Sequence, residues 1–105
     1  MPRFALIYRN AQPPKNPEDG QQHMVKWRAW SSGLGGAMIE PGMPFSNASV
    51  VSQDGAQDYV DQHSLNGVSI VEATDLAAAQ GMAASCPHLN MGGDIVVAEG
   101  MDMEM

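Results

Sequence analysis

The sequence predicts an α+β fold of the ferredoxin-like βαββαβ type, in which an antiparallel sheet carries two helices on one face. Two segments carry helix-start signals, and each is preceded and followed by short apolar runs of strand length. The order strand, helix, strand therefore occurs twice in succession. With 105 residues, 44% of them apolar, the chain has the size and composition of a single globular domain spanning residues 1–105.

The first βαβ unit is predicted from the N-terminal third of the chain. Residues 4–9 are apolar on both faces of a strand, which indicates a central position in the sheet. Asn16 followed by Pro17 is typical of a helix N-terminus, and the glycines after Leu34 predict the helix end. The following segments are predicted as a strand over 37–40, a turn and bend over 41–44, a short strand over 49–52 and mainly loop over 53–67.

The second βαβ unit begins with a predicted strand over residues 68–73, and Thr74 or Asp75 then caps a second helix. The predicted inner face of this helix consists of Leu76, Ala79, Ala83 and Cys86. Residues 94–101 form the last strand, which the alternating tail over 102–105 would extend. Because the helices cover only one face of so small a sheet, we expect the other face to pair with a second copy in a homodimer.

Composition excludes several classes of partner. The formal net charge is −7 with only five Lys and Arg residues, which argues against binding to nucleic acid and to anionic membranes. Apolar runs reach only about five residues, so no transmembrane segment is expected, and the N-terminus lacks a signal-peptide pattern. The lone Cys86 cannot form an internal disulfide. We therefore expect a reduced, cytoplasmic setting.

One stripe of the first helix combines an imidazole with both indoles of the chain. His23, Trp27, Trp30 and Leu34 are spaced i, i+4, i+7 and i+11, which places them on one helical face. A histidine beside a large apolar wall suits a small-molecule pocket, because histidine changes charge near neutral pH. The same stripe could equally be the face that packs the helix on the sheet.

Several segments carry a resemblance to a known family, and only their order and spacing together are specific. They are Phe4-Ala5-Leu6-Ile7-Tyr8, Trp27-Arg28-Ala29-Trp30 with Leu34-Gly35, Pro41-Gly42-Met43-Pro44, the run over 67–73, Cys86-Pro87-His88-Leu89 and the run over 92–99. Over nearly its whole length the chain resembles the YCII-related proteins, small members of the dimeric α+β-barrel fold. The resemblance implies a homodimer whose sheets face one another, with a cleft in each subunit.

The resemblance also implies a candidate site. Some family members are thought to be enzymes in which a histidine near the start of the first helix works with an aspartate at the end of the first strand. His23 matches that histidine, but Asn10 stands at the strand-end position, and an amide can orient an imidazole without offsetting its charge. We expect Tyr8 and Trp27 to hold an apolar substrate and Arg9 to serve as an anion anchor.

Three functions remain open at this point. The first is a cofactor-independent lyase or isomerase that acts on a small acid, for which an aromatic one is a candidate, and that uses His23 as acid and base with Asn10 orienting it. The second is a non-catalytic module that binds a small molecule in the same cleft, which the amide at position 10 favours. The third is a structural or partner-binding homodimer, in which Trp27 and Trp30 belong to the core. The substrate itself does not follow from the sequence.

Other chemistry-bearing residues are interpreted as structural. Cys86 is predicted at a helix C-terminus, where the dipole disfavours a thiolate, and His88 is interpreted as a cap on the last carbonyls of that helix. His23, His63 and His88 lack metal-ligand spacing. The methionines of the tail alternate with acids, as a strand would. We therefore expect neither a metal nor a cofactor.

Overall fold

The computed structural model describes residues 1–59, 61 and 64–101 and confirms the ferredoxin-like fold. A four-stranded antiparallel sheet has the strand order β2-β5-β1-β6, and both helices pack on one face of it. The elements are β1 Arg3–Arg9, α1 Pro17–Leu34, β2 Met38–Pro44, β3 Ser49–Ser52, β4 Gly55–Asp58, β5 Leu65–Glu72, α2 Leu76–Ala84 and β6 Asp94–Glu99, with short 3₁₀ turns at Gly35–Ala37 and Pro87–Met91.

β1 is central, as its two apolar faces predict. It lies between β5 and β6, and both pairings are antiparallel. Phe4, Leu6 and Tyr8 point toward the helices and are buried, whereas Ala5 and Ile7 point to the opposite face. The buried face of β1 therefore supplies the floor on which both helices rest.

Helix α1 has the predicted bounds because its ends are determined locally. The Asn16 side chain accepts a hydrogen bond from the Asp19 backbone N–H at 2.8 Å, and Pro17 occupies the first turn. The predicted stripe of His23, Trp27, Trp30 and Leu34 faces inward but is only half-buried, and no residue of α1 is fully buried. The helix therefore does not pack completely against the sheet, and space remains beneath it.

Helix α2 packs closely on the sheet through small residues. Asp75 provides the N-cap, since its carboxylate accepts from the Ala78 backbone N–H at 2.8 Å. Ala79 and Ala83 are buried as predicted. Leu76, predicted on the inner face, is instead 40% exposed at the first position of the helix.

Two predictions for the middle of the chain are wrong in detail. The segment Pro41–Pro44, predicted as a turn, continues β2 with register shifts against β5, and Gly42 adopts a φ of 78° where its backbone closely approaches the Val68 carbonyl. Part of the predicted loop forms β4, which pairs with β3 in an exposed hairpin closed by a two-residue turn before Gly55.

The sheet face opposite the helices is uncovered within one chain. The molecule measures 44 × 43 × 18 Å, so it is a flat two-layered body. The strand register places apolar side chains in the middle of this face and charged ones around them. The apolar ones are Ala5, Ile7, Val68, Ile70, Val96 and Ala98; the charged ones are Arg9 and Asp94 at one end, Arg3 and Glu72 at the other, and Glu40 on β2. This face is the one predicted to meet a second copy, which stays a prediction. The proposed continuation of β6 over 102–105 lies outside the described residues.

Two glycine-to-alanine substitutions should change stability in opposite directions. At Gly42 an added Cβ would overlap the Val68 carbonyl group, and the positive φ adds strain, so Gly42→Ala should lower the free energy of unfolding by roughly 2 kcal/mol or more. Gly81 lies within α2 with open space around it, so Gly81→Ala should raise stability by about 0.5–1 kcal/mol. Urea unfolding followed by circular dichroism measures both, and equal effects of the two changes would contradict the register of β2 on β5.

Candidate functional site

A cavity of about 350 Å³ lies between α1 and the helix-facing side of the sheet. Its polar side chains include Tyr8 on β1, His23 on α1, Ser69 on β5 and His88 on the 3₁₀ turn before β6, and Trp27 forms part of the wall. Most other contributors are apolar, among them three methionines and three prolines. A few polar groups in an apolar wall are the usual composition of a small-molecule site.

The ring of His23 is held by the next turn of its own helix. Trp27 Nε1 donates to His23 Nε2 at 2.6 Å, and the two rings meet edge to face with centroids 6.1 Å apart. Because an indole nitrogen can only donate, Nε2 of His23 must be unprotonated, and the neutral ring carries its proton on Nδ1. His23 therefore holds its lone pair against Trp27 and presents Nδ1–H as a donor.

The surroundings of His23 favour this neutral form. Partial burial lowers the pKa of His23 below its ordinary value, and the nearby His88 and Lys26 act in the same direction. The hydrogen bond from Trp27 also stabilises the unprotonated Nε2. An imidazolium at position 23 would have to exist beside a positive lysine, so any proton that His23 accepts is readily given up.

Tyr8 organises the floor of the cavity through a chain of hydrogen bonds. Its hydroxyl donates to Ser69 Oγ at 2.9 Å, and Ser69 Oγ donates to the Pro41 carbonyl at 2.7 Å. Burial raises the pKa of Tyr8 far above its ordinary value, so the phenol stays neutral. The Tyr8 ring also meets Trp27 edge to face with centroids 4.9 Å apart, and this contact joins strand and helix in the wall of the cavity.

His88 is a buried residue of the same site, and its interpretation as a cap on α2 is wrong. Its Nε2–H donates to the backbone carbonyl of Arg9 at 2.9 Å, across the sheet rather than back to the helix. A side chain on Gly93 would overlap both partners of this bond, so glycine is required there. The His88 ring lies 5.2 Å from that of Tyr8, at the inner end of the cavity.

Cys86 lies next to the site but has no nucleophilic character. Its side chain is 2% exposed, and burial raises the pKa of the thiol to about 11, although the His88 backbone N–H partly opposes this. At neutral pH the group is therefore a thiol that serves as a small apolar core residue.

The two tryptophans have different roles. Trp30 Nε1 donates to the Met82 carbonyl at 3.1 Å, so this residue ties α1 to α2. Trp27 meets Trp30 edge to face with centroids 5.3 Å apart and faces the cavity. The interpretation as scaffold therefore fits Trp30, whereas Trp27 belongs to the candidate site.

The structure brings together three of the five predicted site residues, namely Tyr8, His23 and Trp27, and directs Asn10 and Arg9 elsewhere. Arg9 forms a bidentate ion pair with Asp94, with both nitrogen–oxygen distances 3.0 Å, on the open face of the sheet. Asn10 Nδ2 donates to the same carboxylate at 3.4 Å. The hydrogen bonds of the described residues include none between Asn10 and His23. Catalytic roles for His23 and Asn10 remain predictions.

Sequence reasoning missed Ser69 and misread His88. Ser69 could have been found, because the alternation over 67–73 places it on the buried face of its strand, where a lone hydroxyl among apolar residues indicates a site or a bonded core. His88 offered no such signal, since its partner, the Arg9 carbonyl, lies 79 positions away in the sequence.

Replacing Trp27 by Phe should raise the pKa of His23 toward its ordinary value, because the hydrogen bond that stabilises the neutral imidazole is lost while an aromatic wall remains. In the native chain the lowered pKa means that stability falls as pH drops below about 6.5. Proton NMR of the imidazole signals measures the pKa. Trp30→Phe is the matched control and should leave it unchanged; an unaltered His23 pKa in Trp27→Phe would contradict the assigned bond.

No group of three His, Cys, Asp or Glu side chains that could hold a metal converges in the described ranges. Within the same ranges, no helix has both the length and the apolar character to cross a membrane.

Comparison with known proteins supports the fold. No protein-family model matches the chain, and no curated protein matches it. Membership of the YCII-related family therefore stays a prediction. Among solved structures, the chain is similar to a 5-chloro-2-hydroxyhydroquinone dehydrochlorinase from Burkholderia phenoliruptrix, in complex with 2,5-dihydroxybenzoquinone. The identity is 16%, the TM-score is 0.57, and the match covers 97% of this chain and 95% of that one. The α+β ferredoxin-like architecture is thus shared with an enzyme of known structure.

Proposed function

We propose that the chain binds a small, mainly apolar ring compound in the cavity beneath α1 and that His23 moves a proton on it in a lyase- or isomerase-type reaction. The observation that carries this proposal is the convergence of His23, Tyr8, Ser69 and His88 on one apolar cavity. The structure of the dehydrochlorinase in complex with 2,5-dihydroxybenzoquinone supports the choice of a ring compound.

The size of the cavity agrees with this ligand class. A cavity of roughly 150 Å³ suffices for benzene in a protein core. The 350 Å³ found here leaves room for a single ring with a few substituents. Trp27 offers a ring face or edge for stacking, and the hydroxyl of Ser69 and the imidazole of His88 offer polar contacts.

The proton would pass through Nε2 of His23. A ligand hydroxyl or acidic C–H reaches this nitrogen only by replacing the N–H of Trp27, so ligand binding itself releases the lone pair that acts as base. The resulting imidazolium lies near Lys26 and returns its proton readily. A proton that is taken from one atom and returned to another, or to a leaving group, is the step that isomerases and lyases require.

A non-catalytic binding module is the second candidate. Two observations favour it: the lone pair of His23 is already engaged by Trp27, and Asn10, the residue expected to orient the imidazole, bonds Asp94 instead. In this case the cavity would hold the ligand without converting it.

Hydrogen exchange on a bound ring separates the two candidates. The probe is 2,5-dihydroxybenzoquinone, and NMR measures the rate at which its ring C–H groups exchange with D₂O. We expect the wild-type protein to accelerate this exchange. His23→Gln should lower the exchange rate by about 100-fold or more, because the proton carrier is lost, while the Kd from calorimetry changes by less than about fivefold.

Gln21→Ala, on the exposed side of α1, is the matched control and should exchange like the wild type. Binding without exchange in the wild type would establish the binding module instead, and the absence of binding would overturn both candidates.

We also propose that a second copy covers the open face of the sheet. The face is apolar in its middle and carries the Arg9–Asp94 ion pair at one end and Arg3 and Glu72 at the other. Two copies related by a twofold axis could therefore pack their central residues together. The 18 Å thickness of the chain supports this, because a two-layered body of 105 residues leaves half of its sheet surface unburied.

Sedimentation at micromolar concentration should give a dimer for the wild-type chain. Ile7→Glu and Ile70→Lys place a charge in the middle of the open face and should each produce monomers, because the charge would be buried unpaired. Val25→Glu, on the exposed side of α1, should remain dimeric and serves as the control. A monomeric wild type, or a folded Ile7→Glu protein that stays dimeric, would contradict the proposed interface.

A further inference from the structure

We propose that the ligand of the cavity is an acid and that Lys15 and Lys26 bind its negatively charged group in a second cleft beside His23. This inference rests on the proposed function, since it assumes that a ring compound occupies the cavity. It adds the charge of the ligand, its orientation and two residues that select it.

The second cleft adjoins the cavity. Its volume is about 390 Å³, and Gln12, Pro14, His23 and Met91 line both spaces. His23 therefore stands at the boundary between them. A ring in the cavity could therefore extend a substituent past His23 into the second cleft.

The second cleft carries an unusual concentration of positive charge for this chain. The protein has five Lys and Arg residues against twelve Asp and Glu, yet both of its lysines line this one cleft. Asp19 is the single carboxylate in the lining, so the cleft is net positive. On a chain of net charge −7, an anion is repelled by most of the surface and is attracted here.

Neither lysine forms an ion pair with another residue that the structure describes. Within residues 1–59, 61 and 64–101, Arg9–Asp94 is the one ion pair, so Lys15 and Lys26 have no carboxylate partner there. Both side chains are exposed at their positions and free to turn toward a ligand. An exposed ammonium group gains more from a ligand carboxylate when it does not have to abandon a partner first.

The helix places the cation and the proton carrier on one side. Asp19, Gln22, His23 and Lys26 follow the spacing i, i+3, i+4 and i+7, so they share a face of α1 that lines the cleft. Lys15 lies in the connector just before the N-cap. Arg28, two positions after Lys26, lies on another side of the helix and does not line this cleft.

Arg9, predicted from the sequence as the anion anchor, is unsuited to that role here. Its guanidinium is bound by both oxygens of Asp94, and its side chain lies on the opposite face of the sheet from the cavity. The two lysines are therefore the basic residues that can meet an anionic group of a ligand placed against His23.

An anion at Lys26 would also act on the chemistry of His23. Lys26 contributes to the lowered pKa of His23, and a carboxylate beside the lysine would offset that contribution. An acidic ligand would thereby make His23 a stronger base when it binds, whereas a neutral ligand of the same shape would not. The preference of Lys26 for a charged ligand and the proton transfer by His23 would then depend on each other, because the two residues are one helical turn apart.

A pair of ligands that differ only in charge tests the inference. We use 2,5-dihydroxybenzoate and its amide, 2,5-dihydroxybenzamide, and measure both by calorimetry at low ionic strength. The wild type should bind the acid at least about tenfold more tightly than the amide. Added salt should weaken the binding of the acid and leave the binding of the amide unchanged. In Lys15→Gln/Lys26→Gln the preference should vanish while the affinity for the amide stays within about twofold.

Two single changes act as controls of charge. Arg28→Gln removes the same unit of charge as Lys26→Gln from the same helix but away from the cleft, and it should leave the preference unchanged. Asp19→Asn removes the one negative group of the lining and should tighten binding of the acid. In NMR titrations the acid should raise the pKa of His23 in wild-type protein, and the amide should not.

The outcomes separate this inference from the proposed function. Equal affinities for acid and amide would overturn the anion cleft and leave the cavity as a ring-binding site. A preference for the acid that survives in the double variant, or that is lost in Arg28→Gln, would overturn the assignment to Lys15 and Lys26. If neither compound binds, the ring-binding cavity fails, and the anion cleft fails with it.

Discussion

The end of the central strand β1 is the point on which the rest of the structure depends. Tyr8 is the last buried residue of the strand, and its hydroxyl holds Ser69 on β5 while its ring holds Trp27 on α1. The next carbonyl, that of Arg9, holds the ring of His88. Three separate segments thus converge on two consecutive residues. Because β1 lies between two other strands, these two residues are fixed in position, and they in turn fix the side chains that line the cavity.

This arrangement explains why a cavity exists at all. α2 covers its part of the sheet with alanines that allow close packing, whereas α1 meets the sheet through Trp27 and Trp30 and has no fully buried residue. The large rings of these tryptophans keep α1 at a distance from the strands. The cavity lies where no side chain fills the resulting space. The hydrogen bond from Trp30 to Met82 keeps the helix in place, so that Trp27 can line the opening instead of closing it.

The parts of the fold that follow from the sequence are those determined locally. The cap at Asn16, the two-sided apolar strand over 4–9 and the helix stripe around His23 each depend on residues within a few positions of one another. The continuation of β2 through Gly42 depends instead on a close approach to β5, far along the chain. Strand β4 was predicted as loop because its residues are polar and exposed on both sides, so no alternation marks them.

The same distinction applies to the site. The stripe placed His23 and Trp27 together correctly, but the direction of their hydrogen bond, which sets the protonation of His23, follows only from coordinates. The partner of His88 and the ion pair of Arg9 connect residues about eighty positions apart, and no local pattern carries such information. The residue types in the sequence indicated which side chains could act as acids, bases or anion ligands. The tertiary contacts determine which of these side chains already have a partner within the chain.

Asn10 illustrates how a residue can be placed for structural reasons at a position where function was expected. Its backbone adopts a φ of +62°, a conformation that asparagine tolerates better than most residues, and its amide donates to the Asp94 carboxylate. An aspartate there would set two carboxylates against each other and could not make that bond. The amide thus completes the Arg9–Asp94 pair at the edge of the open face, and it leaves His23 to depend on Trp27. Asp19 is then the one carboxylate that lines the second cleft with His23, and an acid bound beside Lys26 would add a second negative group near an imidazolium at that position.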